Sequence, residues 1–525
     1  MAIELTIPHS SFQEPVQSVN NRFMKTIVLS TLNSRYTHSS LALRYLYANM
    51  KELQDTTTII EFTINESIQS IAEALLDEEP HIIGIGVYIW NAAQVHDLIE
   101  ILKKVAPHIS IILGGPEVSY EPFRVNFDRA DVIIQGEGDF AFYATCKKLL
   151  SHTPVPNIIP PSLVDLAAIS LPYAYYTHED ISSRYIYVEA SRGCPFSCEF
   201  CLSSMDAKVR NFDIDALLEA FEMLWSKGVR NFKFIDRTFN LNMSIATRLL
   251  DFFLSKEPPY FAHFEVIPDH FPDILKTKIA QFPRSALQLE IGIQTLNPTI
   301  ATNISRPLNI EKITKNIRFL ESETTAHLHL DLIVGLPGED LQSFAHNLNT
   351  LCSLTRSEIQ IGILKKLSGT VMNRHDDAYG MIYSDTPPYD ILKNNLLSYK
   401  EIQKMKRFAR FWDLIYNSGN FTNSFALIHH NRSVFDGFYA LSAYIYTQTQ
   451  STWKISLERL STLLFEYFTS TCKFDPEYVA AMMVKDLLSL KGRAVPKTIL
   501  RHYNATQTVD STTLSSRNRR QQKHL

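Results

Sequence analysis

From residue 25 onward the chain alternates short β-branched runs with stretches whose apolar residues recur every three or four positions. The runs KTIVLSTL, TTIIEFT, HIIGIGVYI, SIILGGPE and DVIIQGE read as strands, and residues 39–51, 67–78, 91–106 and 139–150 as amphipathic helices. Strand and helix in alternation predict an α/β domain over residues 24–150, a doubly wound, Rossmann-like parallel sheet. A proline-rich stretch at 154–161 marks a linker, residues 151–179. The alternation resumes with IYVEAS, FKFIDR, FAHFEV, ALQLEIGIQ, HLHLDLIVGLPG and EIQIGILKK, separated by helical patterns at 213–226, 243–254, 272–281, 309–322 and 340–353. Six such units over residues 180–370 suit a partial (β/α)6 barrel of the TIM type. Residues 371–508 turn helical, with a long amphipathic stretch at 389–417 and further helices near 434–447, 455–470 and 476–490. The polar segment 1–23 and the basic tail 509–525 carry no periodicity and are expected to be disordered, so that the folded chain begins near Met24.

The alternation inside the second set of strands carries chemical information. Gln288, Glu290, Gly292 and Gln294 share one face of their strand, and Leu287, Leu289, Ile291 and Ile293 share the other. His327, His329 and Asp331 alternate with leucines, and His263 and Glu265 with Phe264 and Val266. The apolar face of a barrel strand meets the outer helices, so the polar face points inward. A closed barrel fills its interior with branched aliphatics. A lumen holding Glu265, Glu290, Gln294, His329 and Asp331 would strand charge unless it receives a ligand. The alternative is an ion-pair network buried for structure. In the first domain, ligands are expected beyond the carboxyl ends of the strands, at residues 33–40 and 88–91, at Gly114-Gly115-Pro116 and at Gly136-Glu137-Gly138. No G-x-G-x-x-G turn follows the first strand, which argues against a dinucleotide.

Composition changes this picture little. A hydrophobic fraction of 45%, a charged fraction of 20% and a net charge of −4 demand neither membrane nor nucleic acid. No apolar run reaches bilayer length and no secretory pattern opens the chain. The 6 cysteines fit a reducing cytoplasm rather than a disulfide framework. Cys146, Cys352 and Cys472 lie in apolar helical surroundings and read as inert core thiols.

The other three cysteines change it a great deal. Cys194, Cys198 and Cys201 stand in the spacing C-x-x-x-C-x-x-C within Cys-Pro-Phe-Ser-Cys-Glu-Phe-Cys. Three thiolates on one loop bind a soft metal or an iron–sulfur cluster. Structural zinc needs four ligands, and His178 and His263 are too distant in sequence for a local knuckle. An electron-transfer cluster also takes four cysteines, so three leave one iron of a 4Fe-4S cluster open, as in a catalytic metal site. Gly193 would let the backbone approach the cluster, and Pro195 would stiffen the loop.

This motif resembles that of the radical S-adenosylmethionine (SAM) enzymes. The resemblance implies that the open iron binds S-adenosylmethionine, whose reductive cleavage yields a 5′-deoxyadenosyl radical, with an electron donor such as a flavodoxin or ferredoxin. It implies that Phe200 lies near the adenine, that Asp236 and Arg237 bind the amino end of the methionine moiety, and that Glu290 and Gln294 lie near the ribose and sulfonium. Gly335-Leu336-Pro337-Gly338-Glu339 resembles the turn beside the adenine, and Glu265 joins the cofactor-binding candidates through the lumen. Residues 24–150 resemble the cobalamin-binding domain of one large subgroup, Gly114 and Gly115 matching its paired glycines and Gly136-Glu137-Gly138 its G-E-G turn. The cobalt-ligating D-x-H-x-x-G loop is absent. His38 occupies the equivalent loop, either as a cobalt ligand or as a histidine bonding backbone near a helix start. The helical extension also resembles one found in a branch of that subgroup. The implied function is methylation of an unactivated carbon of an unknown substrate. Alternatives are a cobalamin-dependent cyclisation or rearrangement and a non-catalytic cobalamin or cluster sensor. An RNA methylthiotransferase would need further cysteines that the first domain lacks.

Overall fold

A computed structural model describes residues 26–489 and 493–504. The expectations for residues 1–23 and 509–525 lie outside the described residues. The first sheet contains β1 (Ile27–Asn33), β2 (Thr57–Thr63), β3 (Ile82–Gly86), β4 (Ser110–Gly114), β5 (Val132–Ile134) and β6 (Ile158–Ile159), in the order β2-β1-β3-β4-β5-β6 and all parallel. β1 is buried along its whole length, as a parallel strand covered on both faces must be. Separate apolar cores fill the two faces of this sheet. The sixth strand was not expected: the proline-rich stretch read as linker contributes Ile158 and Ile159 to the sheet edge, where prolines on either side are tolerated.

The second sheet follows the chain in order: β7 (Ile186–Val188), then, past a small antiparallel ribbon of β8 (Ser191–Arg192) and β9 (Arg210–Asn211), β10 (Asn231–Phe234), β11 (Phe261–Val266), β12 (Leu287–Gln294), β13 (His327–Val334) and β14 (Glu358–Ile363). Six parallel strands with helices outside them make a partial barrel, open between β7 and β14. β12 alternates buried and half-buried positions without a break, the apolar residues facing outward to the helices.

The C-terminal region differs from expectation at its start. The amphipathic stretch does not begin at Tyr389; β15 (Ile382–Tyr383) and β16 (Ile391–Lys393) form an antiparallel pair there, and the helix runs Tyr399–Trp412. Ser398 starts it with a reciprocal capping box to Glu401. Helices Val434–Thr449, Leu457–Glu466 and Pro476–Leu488 follow. The barrel core continues into these helices, with Phe344 meeting Phe435 edge-on at 6.2 Å. The helices therefore flank the barrel beside β14. Asn417 accepts a hydrogen bond from the Ile359 amide and donates one to the Ile359 carbonyl, both at 3.0 Å, so the open edge of β14 is capped by a side chain.

Asn417→Ala leaves that buried edge amide without its partner and is expected to destabilise the protein by about 1–3 kcal/mol. Urea unfolding followed by tryptophan fluorescence, with Trp412 buried nearby in the chain, checks this. A midpoint equal to wild type would show that the edge does not depend on Asn417.

Candidate cofactor site

The cysteine loop is held from both ends. Asp236, just past β10, accepts hydrogen bonds from the Ala190 amide (2.9 Å) and the Ser191 hydroxyl (2.5 Å), fixing the chain as it leaves β7. The Cys194 amide bonds the Asp206 carbonyl at 2.9 Å, closing the loop beside the β8–β9 ribbon. Between them Gly193 has φ +89°, and a Cβ there would sit 2.4 Å from the Lys208 carbonyl oxygen, so no other residue fits. Cys194 and Cys198 are buried and Cys201 half-buried. Burial raises the Cys194 pKa, and the nearby Cys201 and Cys198 thiols push it further in the same direction. Arg306 donates one N–H to Cys198 Sγ at 3.2 Å and another to the Gly292 carbonyl at 2.6 Å.

The three thiols line one wall of a cavity of about 300 Å3. Among the described residues, no three His, Cys, Asp or Glu side chains converge as they would on a single ion. A set of thiols spread along a cavity wall, with a guanidinium on one sulfur, fits an anionic cluster with room for a ligand. Phe200, Arg237, Glu265, Glu290, Gln294 and Asp331 line the same cavity, so the lumen face read from strand alternation does open onto the thiols. Arg237 pairs with Glu265 at 2.8 Å. Burial works against the charged form of Glu290, yet its bond to His263 Nε2 at 2.7 Å, with the charge of His263 and His329, holds it well below the usual carboxylate range. Asp331 behaves oppositely: burial and then the negative charge of Glu290 push it up to about 8, and its Oδ1 is buried without a hydrogen-bond partner. Gly292 leaves space for the Gln294 amide, since a Cβ there would stand 2.8 Å from Gln294 Nε2.

Asp236 and His38 lie outside the thiol-lined cavity and have other partners. Asp236 does not line this cavity; its carboxylate is spent on the backbone leading to the cysteines, and burial raises it to about 6. Glu137 lines a cavity over the first sheet together with Gly136 and Gly138, and it also bonds Arg210 at 2.6 Å and accepts from the Val164 amide at 2.7 Å, joining the two sheets' domains. His38 bonds the Tyr187 hydroxyl through Nδ1 at 2.5 Å, and burial, with Lys233 and Arg35 nearby, lowers its pKa. Arg306 was missed entirely, because it lies 108 residues from the sulfur it touches and in no motif.

The first sheet carries its own cavity, about 310 Å3, over the carboxyl-terminal halves of β3, β4 and β5 and the turns that follow them. Gly84, Gly86, Gly114, Gly115, Gly136 and Gly138 line it. Gly115 (φ +111°) lies so close to Val87 that a Cβ would meet its carbonyl oxygen at 2.5 Å. At Gly114 the nearest atom to a Cβ would be 3.8 Å away, so a side chain there would fill the cavity itself. A third cavity, about 620 Å3, lies between the domains with His38, Trp90 and Tyr187 on its wall. It shares Ala42, Tyr88, Pro116 and Arg192 with the glycine-lined cavity and Arg237 with the thiol-lined one.

Three family models cover the chain in succession: a B12 binding domain over residues 27–145, the radical SAM superfamily over 188–351, and a protein of unknown function, DUF4080, over 377–525. Residues 27–145 thus carry a B12 binding domain and residues 188–351 a radical SAM domain, the combination found in cobalamin-dependent radical SAM enzymes. The family's cofactors are a 4Fe-4S cluster, S-adenosylmethionine and cobalamin. The chain is similar to the cobalamin-dependent radical SAM methyltransferase TokK of Streptomyces tokunonensis, 25% identical over 57% of this chain and 49% of TokK. Its fold is similar to that of the cobalamin-dependent SAM radical enzyme OxsB, with a TM-score of 0.58, 13% identity, and coverage of 94% of this chain and 82% of that one. It is also similar to the radical SAM methyltransferase TsrM of Kitasatospora setae, with a TM-score of 0.56, 14% identity, and coverage of 69% and 82%. The chain spans about half the length of the curated relatives it matches. Among the described residues, no helix is long and apolar enough to cross a membrane.

The buried Asp331 makes the radical SAM domain sensitive to pH. Its folded pKa, about 8, lies above the ordinary carboxylate value of about 3.9. The folded state therefore binds the extra proton between these values, and stability falls as pH rises through that window and levels off above about 8. Asp331→Asn is expected to remove this part of the slope, narrowing the loss in Tm between pH 5 and pH 8 for cofactor-free protein. Parallel Tm curves for the two proteins would contradict it.

Proposed function

We propose that this protein is a cobalamin-dependent radical SAM methyltransferase acting on an unactivated carbon. The observation that carries the reading is the adjacency of the three cavities: the chamber between the domains shares wall residues with the glycine-lined site and shares Arg237 with the thiol-lined site. The bound groups supply reductive cleavage of S-adenosylmethionine to a 5′-deoxyadenosyl radical on one side and a methyl group carried by cobalamin on the other.

The protein's part is to hold, orient and shield. Cys194, Cys198 and Cys201 hold the cluster, and Arg306 donates to the Cys198 sulfur, which stabilises the electron-rich form. Glu290, kept anionic by His263, and the Arg237–Glu265 pair offer opposite charges to the amino and carboxylate ends of a zwitterion. Gln294 presents its amide beside Gly292 to the polar middle of that ligand. The glycines around Gly114 leave room for a bulky group lying on the strand ends. The chamber walled by His38, Trp90 and Tyr187, next to both sites, would receive the substrate. A flavodoxin or ferredoxin serves as reductant, and the free thiols suit a reducing cytoplasm.

Anaerobic reconstitution with iron, sulfide and hydroxocobalamin tests this reading. Wild type is expected to retain both an iron–sulfur and a corrin spectrum, and to form 5′-deoxyadenosine from S-adenosylmethionine and reductant. Cys201→Ala is expected to lose the cluster and deoxyadenosine formation. Gly114→Leu is expected to weaken cobalamin retention about tenfold or more, equivalent to about 1.4 kcal/mol, with the cluster intact. Full corrin retention by Gly114→Leu would move cobalamin out of that cavity, and a wild type that binds only zinc would end the proposal.

A further inference from the structure

Glu199 stands between the second and third thiols, and its side chain is only 2% exposed. A buried carboxylate inside a loop that must hold an anionic cluster is electrostatically costly unless something neutralises it. Three groups do. The Ser305 hydroxyl donates to Oε1 at 2.5 Å, His375 Nε2 meets Oε2 at 2.7 Å, and Arg374 Nη2 bonds Oε1 directly. The Glu199 amide is fixed as well, to the Ile304 carbonyl at 3.2 Å.

Arg374 and His375 come from beyond β14, on a turn that is itself anchored to the first domain. Lys366 bonds Asp376, and its amide bonds the Tyr389 carbonyl at 3.1 Å. The Tyr389 hydroxyl bonds buried Glu117, while Arg124 lies over the Tyr389 ring at 4.3 Å. Glu117 is two residues past Gly115, at the rim of the glycine-lined cavity. Gly369 (φ +86°) packs so closely on Tyr120 that a Cβ would sit 2.4 Å from the ring. One segment, residues 366–390, therefore grips the loop after the paired glycines at one end and the cysteine loop at the other.

We propose that Glu199, with Arg374 and His375, forms a charge-compensated clamp through which the start of the C-terminal region positions the cluster-bearing loop and sets the reduction potential of its cluster. The proposal rests on the reading of the three cysteines as cluster ligands. Glu199 is a positioning residue: its neighbours in the chain hold the iron, and its carboxylate sets where they stand. The charges also act directly. Removing the arginine leaves a buried anion beside the cluster, which favours the oxidised form and lowers the potential. Removing the carboxylate charge leaves the arginine uncompensated and raises it. A role confined to folding would not move the potential in opposite directions.

The experiment uses full-length, anaerobically reconstituted protein, with redox potentiometry followed by electron paramagnetic resonance, in the absence and presence of S-adenosylmethionine. Arg374→Ala is expected to shift the midpoint to more negative values and Glu199→Gln to more positive ones, with Arg374→Lys restoring the wild-type value. Both charge-removing variants are expected to weaken S-adenosylmethionine binding at least about threefold, read from its effect on the spectrum. The Arg374 side chain is 56% exposed, so its truncation leaves the packing in place. Should Arg374→Ala nevertheless fail to fold, Glu199→Gln decides alone by the sign of its shift. Unchanged midpoints and binding in variants with full clusters would overturn the clamp and leave the proposed function standing. A wild type that assembles no cluster would overturn both.

Discussion

A buried ionic seam between the two sheets is the constraint on which the site depends. Arg192, immediately before Gly193 and Cys194, bonds Asp139 at 2.8 Å and Glu189 at 3.0 Å, with Glu137 at 3.5 Å. Arg210 answers Glu137 from the other strand of the β8–β9 ribbon. Burial pushes Glu189 up to about 7, against the pull of Arg192, so the seam is not a simple gain in stability. Desolvating several charges costs roughly what their attraction returns. The arrangement instead has directional value: a guanidinium shared among carboxylates of both domains admits few geometries. The cysteine loop and the glycine-lined cavity are thereby held in one relation to each other.

The legible part of the fold follows from local periodicity. Strand alternation in β11, β12 and β13 identified the lumen face because a two-residue period leaves no freedom about which residues share a side. The thiol spacing was equally legible, being a property of eight consecutive residues. The partners of Asp236, Glu137 and His38 were not, since each lies far along the chain: Ala190, Arg210 and Tyr187 are 46, 73 and 149 residues away. A carboxylate at a strand end looks the same in sequence whether it meets a ligand or a backbone amide. The same limit hid Arg306, and it hid the pairing of β15 with β16, which are too short to show a period of their own.

The lumen shows how one polar face can carry opposite charge states. Glu290 and Asp331 lie on adjacent strands and line one cavity. His263 supports the charge on Glu290 directly, whereas Asp331 meets that same charge as repulsion. A network buried only for structure would satisfy its members, since a half-satisfied one is worse than an apolar core. The unpartnered Asp331 Oδ1 is therefore a feature of the lumen that an ion-pair network does not explain.

An open barrel has two exposed edges, and in this chain each is closed by a different accessory region. Asn417 and the helices that follow cover β14. At the other edge His38 forms a parallel bridge with Tyr185, and the Ser39 hydroxyl donates to the Tyr185 carbonyl at 2.7 Å, so a loop of the first domain covers the chain entering β7. Edge strands left bare invite pairing with other chains, so neither cover is dispensable. Since the same His38 loop also walls the chamber between the domains, the first domain does not swing away without uncovering the barrel edge. Closure of the barrel and placement of the two cofactor sites are thus one structural problem, and a single set of contacts solves it.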